Sequence, residues 1–222
     1  MAFLLGCSKS SVQPAGGPSV KTAVFIGDSI AYGYGASIQA NRWTTLLCVA
    51  LNWSEQNAAV LGEALQNGES CSGHPVFDQS TIPTKTTTNS ALFIALGMND
   101  VGINNGTMTP GSFQSTLSSV CDFAVNTKGW KYSQIVLVTP TFAKNYYYFG
   151  SCGTVWDDAR LQAYVNAVLA VATAKGCVSG NVYDVMSKSA SPGSLLTDDG
   201  IHPNDSGYQL IAQYLSGLKF GS

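Results

Sequence analysis

Three apolar residues, Val24-Phe25-Ile26, run directly into Gly27-Asp28-Ser29. A buried parallel strand reads as such an unbroken apolar run, and open α/β sheets keep their ligands at the carboxyl ends of their strands. A sharp turn at that place would hold the Ser29 hydroxyl rigidly as a nucleophile. Acyl transfer to a serine also needs a base, a group that orients the base and compensates its charge, and donors aimed at the developing oxyanion. His202, one of two histidines in the chain, supplies the base. Asp199, three residues earlier in Asp198-Asp199-Gly200-Ile201-His202-Pro203, supplies its partner, and Gly200 lets the segment fold the carboxylate back toward the ring. Asn99, in Gly97-Met98-Asn99-Asp100, offers a side-chain N–H. Gly62 offers a backbone N–H, with Gly68 as the alternative, and the Ser29 N–H is a third donor. Taken singly, these are ordinary turn residues. Together they fall at successive strand ends, in the order one catalytic edge requires.

The elements that must position them follow from hydrophobic periodicity. Apolar runs predict strands at 22–26, 58–61, 91–96, 135–138 and 181–185. Between them, apolar residues recur at helical spacing. Trp43, Leu46, Leu47, Ala50 and Leu51 form one stripe, and Phe113, Leu117, Val120, Cys121 and Ala124 another. Leu161, Tyr164, Val165, Val168, Leu169 and Ala172 form a third, and Tyr208, Ile211, Leu215 and Leu218 a fourth. Thr109 followed by Pro110 predicts a capped helix start, and Gly129 and Gly176 suit helix stops. Strands alternating with helices imply right-handed crossovers and a mostly parallel sheet covered on both faces, an α/β class of three layers, α/β/α. The segments 63–89 and 142–156 read as irregular loops. His74 reads as a solvated loop residue outside the site, and Tyr146 to Phe149 serve equally well as a pocket lining or as packing.

With these residues in hand, the chain resembles the SGNH subgroup of GDSL-type serine esterases and lipases. Phe25-Ile26-Gly27-Asp28-Ser29 is similar to the family's first block, Gly97-Met98-Asn99-Asp100 to its GxND block and Asp199-Gly200-Ile201-His202 to its DxxH block. Asn57-Ala58-Ala59-Val60-Leu61-Gly62-Glu63 is similar to the second block, with Gly62 as its donor. The resemblance runs from about residue 22 to 218. It implies a flavodoxin-like fold, Ser29 as nucleophile, His202 as base, Asp199 as its partner and Asn99 as an oxyanion donor. A G-x-S-x-G elbow is absent, which argues against an ordinary α/β-hydrolase.

Composition bounds the rest. The 222 residues suit one large domain, expected at 21–222 after a signal remnant or tether at 1–20. Hydrophobic residues make up 45% and charged residues 11%, so the chain is not a disordered type. The net charge of −2 and the lack of a basic run argue against nucleic acid as a partner. Met1-Ala2-Phe3-Leu4-Leu5-Gly6-Cys7 resembles the end of a bacterial lipoprotein signal, which makes Cys7 a candidate lipid anchor. Export to the periplasm, the outer membrane or the medium would follow. Six cysteines without a CxxC pair or clustered histidines give no zinc pattern, and no cofactor or metal is expected. One or two disulfides suit an exported chain, with Cys48 and Cys121 instead read as buried thiols. The expected protein is a monomeric hydrolase of small-molecule or glycan esters with short acyl or acetyl groups. An O-acetyl esterase or acetyl transferase, a lysophospholipase or thioesterase, and a non-catalytic carbohydrate-binding protein are the alternatives.

Overall fold

The computed structural model describes residues 20–66, 75–102, 109–144 and 158–220. In chain order, β1 is Thr22–Gly27, α1 Ser29–Tyr32, α2 Trp43–Leu51 and β2 Ser54–Asn57. Next come β3 at Asn89–Ala95, α3 at Met98–Gly102, α4 at Pro110–Asn126 and β4 at Ile135–Val138. The chain continues with α5 at Asp158–Lys175, β5 at Val178–Gly180, α6 at Val182–Ser187 and α7 at Asp205–Ser216.

The five strands form one sheet in the order β2-β1-β3-β4-β5, and every neighbouring pair is parallel. This is the doubly wound order of flavodoxin-like sheets. From β1 the chain steps one way to β2 and the other way to β3, β4 and β5. Right-handed crossovers therefore place α2 on one face and α4 and α5 on the other. The packing agrees, with α2 against α7 and α4 against α5. The expected three-layer α/β/α architecture is thus the observed one.

The unbroken apolar runs become the central strands for a physical reason. Covered on both faces, the middles of β1 and β3 and the whole of β4 must present apolar side chains at successive positions. Val24-Phe25-Ile26 lies in register beside Leu92-Phe93-Ile94, and all six side chains are buried. Phe25 stacks on Phe93 with ring centroids 4.8 Å apart, and the edge of Trp43 closes on Phe25 at 5.3 Å. Burying each such side chain stabilises the fold by roughly 1.5–3 kcal/mol. Side-chain caps and glycines fix the helix ends, those at Thr109, Gly129 and Gly176 as the sequence predicts. The Thr109 side chain accepts from the Ser112 N–H ahead of Pro110, and the Asn204 side chain accepts from Ser206 and Gly207. Gly129 and Gly176 adopt positive φ just beyond their helices.

Two expected strands are displaced. The strand beside β1 is Ser54-Glu55-Gln56-Asn57, not 58–61. It lies at the sheet edge and alternates between exposed and half-buried positions, so it needs no apolar run. Ala58 and Val60 still donate to Phe25 O and Gly27 O, but outside a regular ladder. The last strand is Val178–Gly180, and the segment predicted as strand at 181–185 opens α6 instead. There Asn181 acts as a helix cap, accepting from the Asp184 N–H. On α2, Ala50 is exposed and Thr44 and Cys48 join Trp43 and Leu47 on the buried face.

Cys48 and Cys121 are buried free thiols, and Cys177 is also free. Cys7, Cys71 and Cys152, with the 1–19 tether, lie outside the described residues, as do Gly68, His74 and Tyr146 to Phe149. Among the described residues no helix is long and apolar enough to cross a membrane.

Candidate active site

Ser29 is the first residue of α1, immediately after the carboxyl end of β1. The turn is forced by its neighbours. A Cβ on Gly27 would stand 2.5 Å from Ala31 Cβ and 2.8 Å from Ala95 O, so only glycine lets β1 turn this tightly against β3. Asp28 caps α1, its Oδ1 accepting from the Ile30 N–H at 2.9 Å. The helix is one turn long and stops at Gly33, whose φ is 100°. Ser29 O accepts from the N–H groups of Gly33 and Tyr34, which pins the serine backbone from the other side.

His202 reaches Ser29 from the far end of the chain. Thr197 N–H donates to His202 O and Gly200 N–H donates to Thr197 O, folding a tight hairpin between the paired residues Leu196 and Pro203. Gly200 sits at φ 70°, the conformation the hairpin needs. Asn204 ties this loop to α7, donating to Ser194 O and Leu196 O while capping the helix. On this scaffold His202 Nε2 lies 2.9 Å from Ser29 Oγ, and His202 Nδ1 lies 2.6 Å from Asp199 Oδ2. Asp199 Oδ1 accepts from the backbone N–H groups of Ile201 and His202. Burial would raise the Asp199 carboxyl, but the bonds from the His202 ring and these two N–H groups outweigh it and lower it to about 2. Asp199 is therefore a carboxylate throughout the neutral range. The Tyr34 ring, more than half exposed, packs on the imidazole with centroids 4.5 Å apart.

Asn99 lies in α3, just past β3, and is buried. Its amide donates to Glu63 O at 2.8 Å. Gly62, at φ 74°, precedes that carbonyl in a turn closed by the Glu63 N–H bond to Val60 O. Because Val60 also donates to Gly27 O, this turn is anchored beside the Ser29 end of β1. The structure thus joins Ser29, His202 and Asp199 directly, and joins Asn99 to the Gly62 turn through Glu63.

Sequence reasoning gave three residues of this edge no role in the site. Tyr34 was marked only by its flanking glycines, and Asp100 only by its place after Asn99. Glu63 was marked only by its place after Gly62. Asp28, Glu63 and Asp100 are buried carboxyls. Burial raises Asp28 to about 7, against the Ile30 N–H bond and with help from the Asp100 charge. Burial and then the Asp28 charge raise Glu63 to about 7, and burial raises Asp100 to about 6. Among the described residues no group of three His, Cys, Asp or Glu side chains is arranged to hold a metal.

These raised carboxyls have a consequence for stability. Between about pH 4 and about pH 7 the folded chain keeps protons that the unfolded chain has released. Stability therefore falls as pH rises through that window. Asp28→Asn keeps the acceptor for the Ile30 N–H and removes the buried charge. Urea unfolding at a series of pH values is expected to show a shallower decline for this variant than for the native chain, and an unchanged slope would contradict the assignment.

The comparisons with known proteins agree with this fold. A sequence model described as the GDSL-like lipase/acylhydrolase family matches residues 25–210. Among solved structures the chain is similar to the lipase/acylhydrolase from Enterococcus faecalis, at 19% identity and a TM-score of 0.62, covering 89% of this chain and 94% of that one. It is also similar to TesA, at 20% identity and a TM-score of 0.61, covering 88% and 96%. A G-D-S-L family lipolytic protein from Veillonella parvula matches at 18% identity and a TM-score of 0.62, covering 88% and 96%. At such identities these structures establish the fold alone. A search of the curated proteins gives no significant match. The family match over most of the chain places this protein in the GDSL-like lipase/acylhydrolase family.

Proposed function

We propose that this chain is a serine hydrolase of short-acyl or acetyl carboxylic esters, working through an acyl-enzyme. The observation that carries the reading is the unbroken hydrogen-bonded line from Asp199 through His202 to Ser29, at 2.6 and 2.9 Å. Membership in an acylhydrolase family supports the same class of chemistry.

In this reading the Ser29 hydroxyl attacks the ester carbonyl as its proton passes to His202 Nε2. Asp199 holds the ring with Nδ1 protonated and compensates the imidazolium. An amide nitrogen carries two N–H donors, so Asn99 can serve the oxyanion while also holding Glu63 O. The Gly62 N–H and the Ser29 N–H, the latter at a helix start, complete the donor set. His202 then protonates the leaving alcohol, and afterwards takes a proton from the water that frees the acid.

A second reading, a glycan O-acetyl esterase, is favoured by Tyr34. Its half-exposed ring beside His202 offers a flat apolar surface on the leaving-group side, suited to a sugar face. A panel of p-nitrophenyl esters of rising acyl length, run beside acetylated xylan, tests both readings. Turnover is expected to fall as the acyl chain lengthens. Preference for long chains would overturn the short-acyl assignment, and acetate release from xylan at rates matching the small esters would support the glycan reading.

A further inference from the structure

Asp100 is fully buried, so substrate cannot touch it. Its two carboxylate oxygens are nonetheless both committed. Oδ2 accepts from the Leu65 N–H at 3.0 Å and Oδ1 from the Gln66 N–H at 2.9 Å. Both donors lie just beyond the turn that carries Gly62. The preceding residue of α3, Asn99, takes hold of Glu63 O in the same segment. Two consecutive α3 side chains thus grip the 63–66 backbone at three points. One of them is a proposed oxyanion donor, and the segment they hold directly follows the other.

We propose that Asp100 is a positioning residue of the oxyanion site, fixing the Gly62 turn relative to Asn99 so that their N–H groups converge. This rests on the serine hydrolase reading above and deepens it. The chemistry of the contact specifies the residue. Here the two backbone N–H groups reach different oxygens of one side chain, so both of its terminal atoms must accept, which a carboxylate's can and an amide's NH2 cannot. In Asp100→Asn one backbone N–H meets an NH2 group, and the turn must shift to relieve the clash of donors. Oxyanion donors act only when placed within a few tenths of an ångström of their position, so a shifted turn costs rate rather than substrate binding.

The test is a double-mutant cycle on the full chain with a p-nitrophenyl ester. Asp100→Asn is expected to lower kcat by about 10²-fold, in the range of losing one oxyanion donor, with KM within about twofold of the native value. On an Asn99→Ala background the same substitution is expected to cost no more than about threefold, because the site it positions is already broken. Losses that multiply, or an unchanged kcat in Asp100→Asn, would overturn the proposal. A measurement on the native chain guards against a variant that fails to fold. Amide hydrogen exchange at Leu65 and Gln66 is expected to be slowed at least about 10²-fold relative to an unprotected turn, and fast exchange at both would overturn the grip itself. The underlying reading fails separately: full turnover in Ser29→Ala would remove it, whereas an inactive Ser29→Ala with a fully active Asp100→Asn removes only the role of Asp100.

Discussion

Ser29→Ala is expected to lose ester hydrolysis by about 10⁴-fold or more in kcat, with the fold and the thermal midpoint close to those of the native chain. The size follows from the role. Without the hydroxyl no acyl-enzyme forms, and what remains is the contribution of oriented donors to attack by water. The intact fold follows from the structure. The Ser29 side chain is only partly buried and its bond runs to His202, whereas the turn is held by Gly27, by the Asp28 cap and by the Ser29 carbonyl, none of which the substitution changes. Far-ultraviolet circular dichroism and a thermal melt separate loss of chemistry from loss of fold. Undiminished turnover would sink the nucleophile assignment.

Asp199→Asn is expected to lower kcat by about 10³-fold with KM little changed, and the reason is the tautomer of a single ring. Asp199 Oδ1 accepts two backbone N–H groups, which an asparagine oxygen in the same place would keep. The asparagine NH2 then replaces Oδ2 and faces Nδ1 of His202, donor against donor. Relief comes when the ring moves its proton to Nε2, and a ring protonated there cannot take the proton of Ser29. The Asp199 side chain is 39% exposed, so water eases part of the conflict and the expected loss is set below that of a fully buried triad acid. Steady-state rates on a small p-nitrophenyl ester check it, and a loss under about tenfold would contradict the orienting role.

Where the fold was legible in the sequence, burial on both faces made it so. The runs at the heart of β1, β3 and β4 had to be apolar, and the polar residues just after β1 and β3 marked the candidate edge. The edge strand β2 lacked that constraint. Ser54-Glu55-Gln56-Asn57 carries no apolar side chain, and the more apolar residues 58–61 drew the assignment although only two of their N–H groups reach β1. At the other edge, Asn181 looked like part of a strand because its capping bond to Asp184 depends on a helix that residues 181–185 alone do not announce. The site divides in the same way. Ser29, Asn99, Asp199 and His202 were readable as candidates because a nucleophile, a donor, an acid and a base each call for a characteristic side chain. The grip of Asp100 on Leu65 and Gln66 was not, because its partners are backbone N–H groups more than thirty residues away, and a backbone donor leaves no mark on the sequence. Tyr34 was hidden for a related reason. Its place against His202 is set by contact between segments from opposite ends of the chain.

The most direct test of the account is covalent capture of the nucleophile. Incubation with a fluorophosphonate, digestion and peptide mass spectrometry should show one adduct per chain, on Ser29, forming as esterase activity disappears. The adduct should be absent in Ser29→Ala and slow to form in Asp199→Asn. Modification of a different serine, or full loss of activity with Ser29 unlabelled, would contradict the central claim that the Asp199–His202–Ser29 line is the catalytic machinery.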